Sequence, residues 1–153
     1  SGYGTEWARE VAKEKFSNQQ ADLVIIAFGM NDGAGGMTQQ RYKENLEAVI
    51  SDIDACAANR DGKATEYIFI ATPLPNPECK QINLTQSELV NALRDFNKTG
   101  VSIVNMTALY EWLLKSKNYC EISGNNLNHP NDFGYRFYSD GLTEIFVKLK
   151  KSF

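Results

Sequence analysis

A chain of 153 residues with 42% apolar side chains suits one domain that buries most of the surface its unfolded form exposes. Its net charge of -3, with lysine and arginine scattered apart from Lys148, Lys150 and Lys151, supplies no clustered positive surface for nucleic acid or an anionic membrane. No apolar run approaches the about 20 residues that span a bilayer, Ser1 to Gly4 does not read as a signal peptide, and Cys56, Cys79 and Cys120 lack the spacing of a zinc knuckle or disulfide framework and read as buried or free thiols.

Residues 6–17 open the chain as a helix, with Trp7, Ala8, Val11, Ala12 and Phe16 on one face. Residues 23–28 are continuously apolar and β-prone, which predicts an interior strand buried on both faces. A glycine-rich loop, 29–37, follows. Over 38–58, Tyr42, Leu46, Val49, Ile50, Ile53 and Ala57 form a stripe of helical period behind Thr38 as N-cap. Residues 67–71 make a second strand ended by Thr72-Pro73, and Thr85-x-x-Glu88 reads as a capping box ahead of a helix carrying Leu89, Val90 and Leu93. A third strand at 101–104 and a short helix at 108–114 come next. In the final helix Tyr138, Leu142, Ile145, Phe146, Leu149 and Phe153 keep the helical spacing. The order αβαβαβαα predicts an α/β fold with a parallel sheet, in which ligands sit outside the carboxyl ends of the strands. The loops to inspect are therefore 29–37, 72–84 and the stretch before the last helix. Sequons at Asn83, Asn97 and Asn105 matter only in a eukaryotic secretory route.

Two of these loops carry chemistry. Gly29-Met30-Asn31-Asp32-Gly33-Ala34-Gly35-Gly36 follows the first strand directly. Its glycines let the backbone turn and approach a ligand, and an Asn amide can donate to a developing oxyanion, although Asn-Asp-Gly is also ordinary turn chemistry. Asn126-Leu127-Asn128-His129-Pro130-Asn131-Asp132 precedes the last helix and contains the chain's single histidine. Pro130 holds His129 extended, ahead of a helix capped by Asn131 or Asp132, and a neutral imidazole so placed can act as general base.

Together, in this order and at this separation, the two loops resemble the SGNH hydrolases, also called GDSL esterases and lipases. The resemblance implies a three-layer α/β/α parallel sheet of SGNH/flavodoxin-like type and an ester hydrolase. Gly29-x-Asn31-Asp32 matches the block that supplies an oxyanion-hole Asn, so that role falls to Asn31, with Gly29 and Asp32 supporting it. Asn126-x-x-His129-Pro130 matches the block that supplies the base, which falls to His129. Ser1-Gly2-Tyr3-Gly4-Thr5 is similar to the block whose glycine N–H is a second oxyanion donor, here Gly2. Ala71-Thr72-Pro73-Leu74-Pro75-Asn76-Pro77 is similar to the loop beside the acyl or leaving-group site in members that act on carbohydrate.

Two departures stand out. No Gly-Asp-Ser or Gly-x-Ser-x-Gly occurs, so the nucleophile and the N-terminal strand that carries it are expected to be missing from an N-terminally incomplete single domain over residues 1–153. Asn126 also stands where the family more often has the Asp that orients the histidine; its carbonyl, or a backbone carbonyl, would then hold the tautomer in a Ser-His dyad.

The leading expectation is an acyl esterase, with a carbohydrate O-deacetylase as its narrower form, in which a serine attacks a small-molecule or carbohydrate ester with His129 as base. The alternative is a non-catalytic α/β domain that binds a glycan or a protein through the same cleft. Cys120 paired with His129, Ser1 as nucleophile, and a metal site are weaker, because no activating charge, no linked base and no ligand spacing support them. No cofactor is called for. A strand at 23–28 without its neighbour would be a bare apolar edge, which predicts a homodimer or other self-association through it.

Overall fold

In the computed structural model, which describes residues 2–57, 63–80, 83–96 and 99–150, three strands lie at the centre of the molecule. Ser1, Asn97, Lys151 and Phe153, and the side chains of Ala57 and Leu149, lie outside the described set. Helix α1 (Thr5–Phe16) leads into strand β1 (Leu23–Ile26), a short helix α2 (Met30–Ala34) and the long helix α3 (Gln39–Ala57). Strand β2 (Glu66–Ala71), helix α4 (Gln86–Arg94) and strand β3 (Val101–Asn105) follow. Helices α5 (Met106–Leu113), α6 (Tyr119–Ile122) and α7 (Asp132–Lys150) complete the order. The sheet runs β1-β2-β3, all parallel, with Ile25 beside Ile68 and Phe69 beside Ile103.

Alternate side chains of the strands point to opposite faces and meet two separate helix layers. On one face Val24, Ile26, Tyr67, Phe69 and Ala71 pack with Leu46, Val49 and Ile53 of α3, Leu89 and Leu93 of α4, and Ala8 and Ala12 of α1. On the other, Ile68, Ile70 and Val104 pack with Met106 and Tyr110 of α5, Ile122 of α6, and Tyr138, Leu142 and Ile145 of α7. The result is the three-layer α/β/α architecture expected from the sequence, with helices on both faces of a parallel sheet.

The first strand differs from expectation. It spans four residues, pairs only with β2, and alternates: Val24 and Ile26 are buried, whereas Leu23 and Ile25 are 37% and 47% exposed. The strand buried on both faces is β2, whose residues 67–71 are all buried. Helix α7 packs against β3 rather than β1, so the face of β1 that carries Leu23 and Ile25 has no covering helix among the described residues.

Three local differences have physical causes. The expected capping box at Thr85 does not form: the Glu88 N–H donates to the Thr85 backbone carbonyl (3.0 Å), while the Thr85 hydroxyl donates to the Gly33 carbonyl (3.0 Å) and ties α4 to α2. The loop 29–37 contains a helical turn, α2, closed by Gly33 N–H to the Gly29 carbonyl (2.8 Å). Helix α5 starts at Met106 because Asn105 caps it, accepting from the Ala108 N–H at 3.0 Å. Thr38 caps α3 as expected, accepting from the Arg41 N–H at 3.2 Å.

Candidate functional site

Each of the three loops beyond the strand ends is fixed by side chains that bond backbone. After β1 the chain turns at Gly29, whose φ of 127° is a conformation L side chains rarely adopt. A Cβ there would lie 3.2 Å from the Thr72 side chain and 3.3 Å from the Tyr42 hydroxyl, so the position is also closed by its neighbours. The Tyr42 hydroxyl donates to the Phe28 carbonyl (3.0 Å), and burial, together with the Asp32 charge, holds its phenol well above the usual range.

This turn sets Asn31 and Asp32 side by side at the start of α2, one exposed and one buried. The Asn31 amide donates to the Tyr3 carbonyl at 2.8 Å, which occupies one of its two N–H groups. Asp32 Oδ1 accepts from the Thr5 N–H (2.7 Å) and the Thr5 hydroxyl (2.5 Å). Helix α1 has no side-chain cap of its own at Gly4, so Asp32 caps it from another loop and places a negative group at its N-terminus. Gly4 is required by this contact, since a Cβ would lie 2.9 Å from Asp32 Oδ1. The segment 2–5 and the loop after β1 are thereby locked together.

After β2 the chain passes Thr72, whose carbonyl accepts from the Thr107 hydroxyl (2.6 Å), and reaches Asn76, which is buried. The Asn76 backbone N–H donates to the Leu127 carbonyl (2.8 Å), and its amide donates to the Asn126 carbonyl (2.9 Å). Two bonds therefore staple the second loop to the histidine loop. Asn126 sits at φ 54°, and its side chain faces Asn76 at 3.4 Å; among the described residues none of its bonds goes to His129.

The organiser of the histidine loop is Asn125, a residue the sequence did not mark. Its Oδ1 accepts from the backbone N–H groups of Leu127, Asn128 and His129, each at 3.0 Å. The His129 carbonyl accepts from the Gly124 N–H (2.8 Å) and the Ser123 hydroxyl (3.0 Å), so the histidine backbone is held at both ends. Asn131 caps α7, its Oδ1 accepting from the Gly134 N–H at 3.0 Å.

These segments converge on a cavity of about 510 Å³, lined among others by Gly2, Asn31, Thr72, His129, Tyr135 and Tyr138. The three sequence-predicted groups, Gly2, Asn31 and His129, thus come from positions far apart in the chain to one place at the carboxyl ends of the strands. Burial pushes the Tyr138 phenol up to about 12, so it faces the cavity as a neutral hydroxyl at ordinary pH. Among the described residues that line the cavity there is no serine or cysteine. Cys120 lines a different cavity, of about 390 Å³, with Asn126 and Asn76. The described residues contain no cluster of three metal-ligating side chains.

Against known families, the model of the GDSL-like lipase/acylhydrolase family matches residues 1–137, a span that includes Gly2, Asn31 and His129. The chain belongs to the GDSL-like lipase/acylhydrolase family. Its activity class is that of the family's esterases and acylhydrolases. Solved structures of similar fold include a putative GDSL-like lipase from Parabacteroides merdae, at 18% identity and TM-score 0.74, covering 94% of this chain and 68% of that one. An acetylxylan esterase from Geobacillus stearothermophilus is similar at 16% identity and TM-score 0.66, with the same coverage. A carbohydrate esterase family 3 protein from Talaromyces cellulolyticus is similar at 14% identity and TM-score 0.68, covering 100% of this chain and 70% of that one. No curated protein sequence matches the chain significantly.

Proposed function

We propose that the cavity between Asn31 and His129 is the acyl site of a carboxylic ester hydrolase, with a carbohydrate O-acyl ester as substrate. The observation that carries this reading is the convergence of Gly2, Asn31 and His129 on one cavity of a size that suits a small ligand. The acetylxylan and family 3 carbohydrate esterases among the similar structures support the substrate class.

In this reading a serine hydroxyl attacks the ester carbonyl while His129 takes its proton, and the carbonyl oxygen gains negative charge. The second N–H of Asn31 and the backbone N–H of Gly2 bind that oxyanion; the first Asn31 N–H, held by Tyr3, fixes the amide plane. His129 returns the proton to the leaving sugar oxygen as the C–O bond breaks. Water, deprotonated by His129, then attacks the acyl-enzyme, releases the carboxylic acid and restores the serine. Catalytic mutants of the Geobacillus enzyme replace a serine and an aspartate. Here the serine is assigned to a Gly-Asp-Ser segment outside these 153 residues that pairs with the free edge of β1 and covers Leu23 and Ile25. Orientation of His129 is assigned to its pinned backbone rather than to Asn126.

The test is p-nitrophenyl acetate hydrolysis by the chain joined to a segment carrying Gly-Asp-Ser. Turnover is expected, and His129→Ala should lower kcat by roughly 10³-fold or more. A His129→Ala rate equal to the parent would refute the assignment.

A further inference from the structure

A second cavity, of about 540 Å³, opens beside the first and shares Gly2 and Asn31 with it. Its lining includes Tyr3, Trp7, Glu6 and Arg41. The Tyr3 and Trp7 rings stack with centroids 4.3 Å apart and planes 28° apart, and Tyr3 is 54% exposed. Tyr3 is not part of either core; its backbone carbonyl holds Asn31 while its ring rests on Trp7, which packs against the core. The result is a rigid aromatic face kept in water at the mouth of the proposed acyl site. Across the same cavity Arg41 Nε donates to Glu6 at 3.3 Å, an exposed ion pair that adds little to stability. That bond uses the Nε–H, and Nη1 also lies 3.9 Å from Glu44, a distance too long for a hydrogen bond, so Nη N–H groups remain for donation to a ligand.

This combination has one ligand chemistry. The C–H groups of a pyranose face carry slight positive charge and stack on the negative face of an aromatic ring. The vicinal hydroxyls of the same sugar match a guanidinium fork on one side and a carboxylate acceptor on the other. A fatty acyl chain would instead need an uninterrupted apolar groove, and Glu6, Thr38, Arg41 and Asp32 interrupt this one. We propose that the second cavity is a sugar subsite that seats a pyranose ring of an oligosaccharide on Tyr3, with Arg41 and Glu6 holding its hydroxyls. Its placement of the acyl group at Asn31 rests on the ester hydrolase reading; its binding of sugar does not.

The experiment uses Trp112→Phe, an exposed position on α5, which leaves Trp7 the only tryptophan. Xylotetraose and cellotetraose, neither of them acylated, are titrated against Trp7 emission. Saturable change at millimolar sugar is expected with at least one of them. Tyr3→Ala keeps the carbonyl that holds Asn31, and Arg41→Met keeps most of the stem; each should weaken binding about tenfold or more while the far-ultraviolet circular dichroism and melting transition stay in place. No saturable change with either sugar, or affinity unaltered by both substitutions, overturns the proposal. Sugar binding of this kind, with no ester hydrolysis by the chain joined to the Gly-Asp-Ser segment, would sink the hydrolase reading and leave the subsite standing. Ester hydrolysis without sugar binding would do the reverse.

Discussion

Asp32→Ala is the substitution that most directly probes how the site is built. It removes the acceptor for the Thr5 N–H and the nearer of two acceptors for the Thr5 hydroxyl, which also reaches Met37 Sδ at 3.4 Å, on a residue with no exposed surface. A buried donor left without a partner costs about 1–3 kcal/mol, and loss of a helix N-cap about 1 kcal/mol. Part of this is returned, because Asp32 Oδ2 is itself buried without a partner and disappears with the side chain. The net loss should be about 1–3 kcal/mol, which for a domain of this size lowers Tm by about 2–12 °C. Asp32→Asn keeps an oxygen for Thr5 and should cost about 1 kcal/mol or less. Gly4→Ala should resemble Asp32→Ala, since its Cβ would meet Asp32 Oδ1 at 2.9 Å. Urea denaturation followed by circular dichroism, with amide exchange at Thr5, measures both stability and the cap. A stability within about 0.5 kcal/mol of the parent for Asp32→Ala, with Thr5 still protected, would refute the idea that this carboxylate joins the two segments.

Gly29→Ala should cost at least about 1–3 kcal/mol, because the new Cβ meets Thr72 and Tyr42 at a φ of 127°; denaturant midpoints check it. Tyr119 and Tyr138 have phenols raised to about 12, chiefly by burial. A folded value above the unfolded one of about 10 means stability is full below that pH and is lost as pH rises through 12, so the Tm should fall over that window as phenolate absorbance grows. All seven tyrosines titrating together near 10 without loss of Tm would contradict it. The chain by itself should self-associate through β1, and Ile25→Lys should shift it toward monomer in sedimentation; a monomeric parent would count against an adhesive edge.

The sequence carried the layer order because apolar runs and helical stripes report which faces must be buried, and β2 with its two helix layers follows directly. Composition alone read β1 as interior, whereas the argument from a missing neighbour made it an apolar edge, and the edge is where it lies, with Leu23 and Ile25 exposed. That Asn31 and His129 would sit in loops beyond the strand ends was legible because Gly29 and Pro130 fix the backbone close to them. Asn125 was not, since accepting three N–H bonds depends on the closed shape of the loop rather than on any local pattern. Thr85 shows the limit of capping rules: the Glu88 N–H goes to the Thr85 backbone carbonyl, and the hydroxyl goes to the Gly33 carbonyl, a partner that only the tertiary fold supplies.

The anchoring bonds share a feature that bears on how such a site works. Asn31 is tethered through one amide hydrogen, His129 through its backbone N–H and carbonyl, and the 72–80 loop through Asn76 to the backbone of residues 126 and 127. In each case the constraint falls on the backbone or on the spare half of a functional group. Among the described residues the second Asn31 hydrogen stays free and no hydrogen bond reaches the His129 ring. A base needs a fixed origin and an uncommitted ring nitrogen, because a ring nitrogen already bonded within the protein must give up that bond before it can take a proton. For the base role proposed for His129, fixing Cα while leaving the imidazole open would meet both needs without a buried carboxylate, whose desolvation would otherwise have to be offset. The asparagines at 76, 125 and 131 are suited to this: neutral amides donate and accept toward backbone, and they add no charge that would compete with one developing in the cavity.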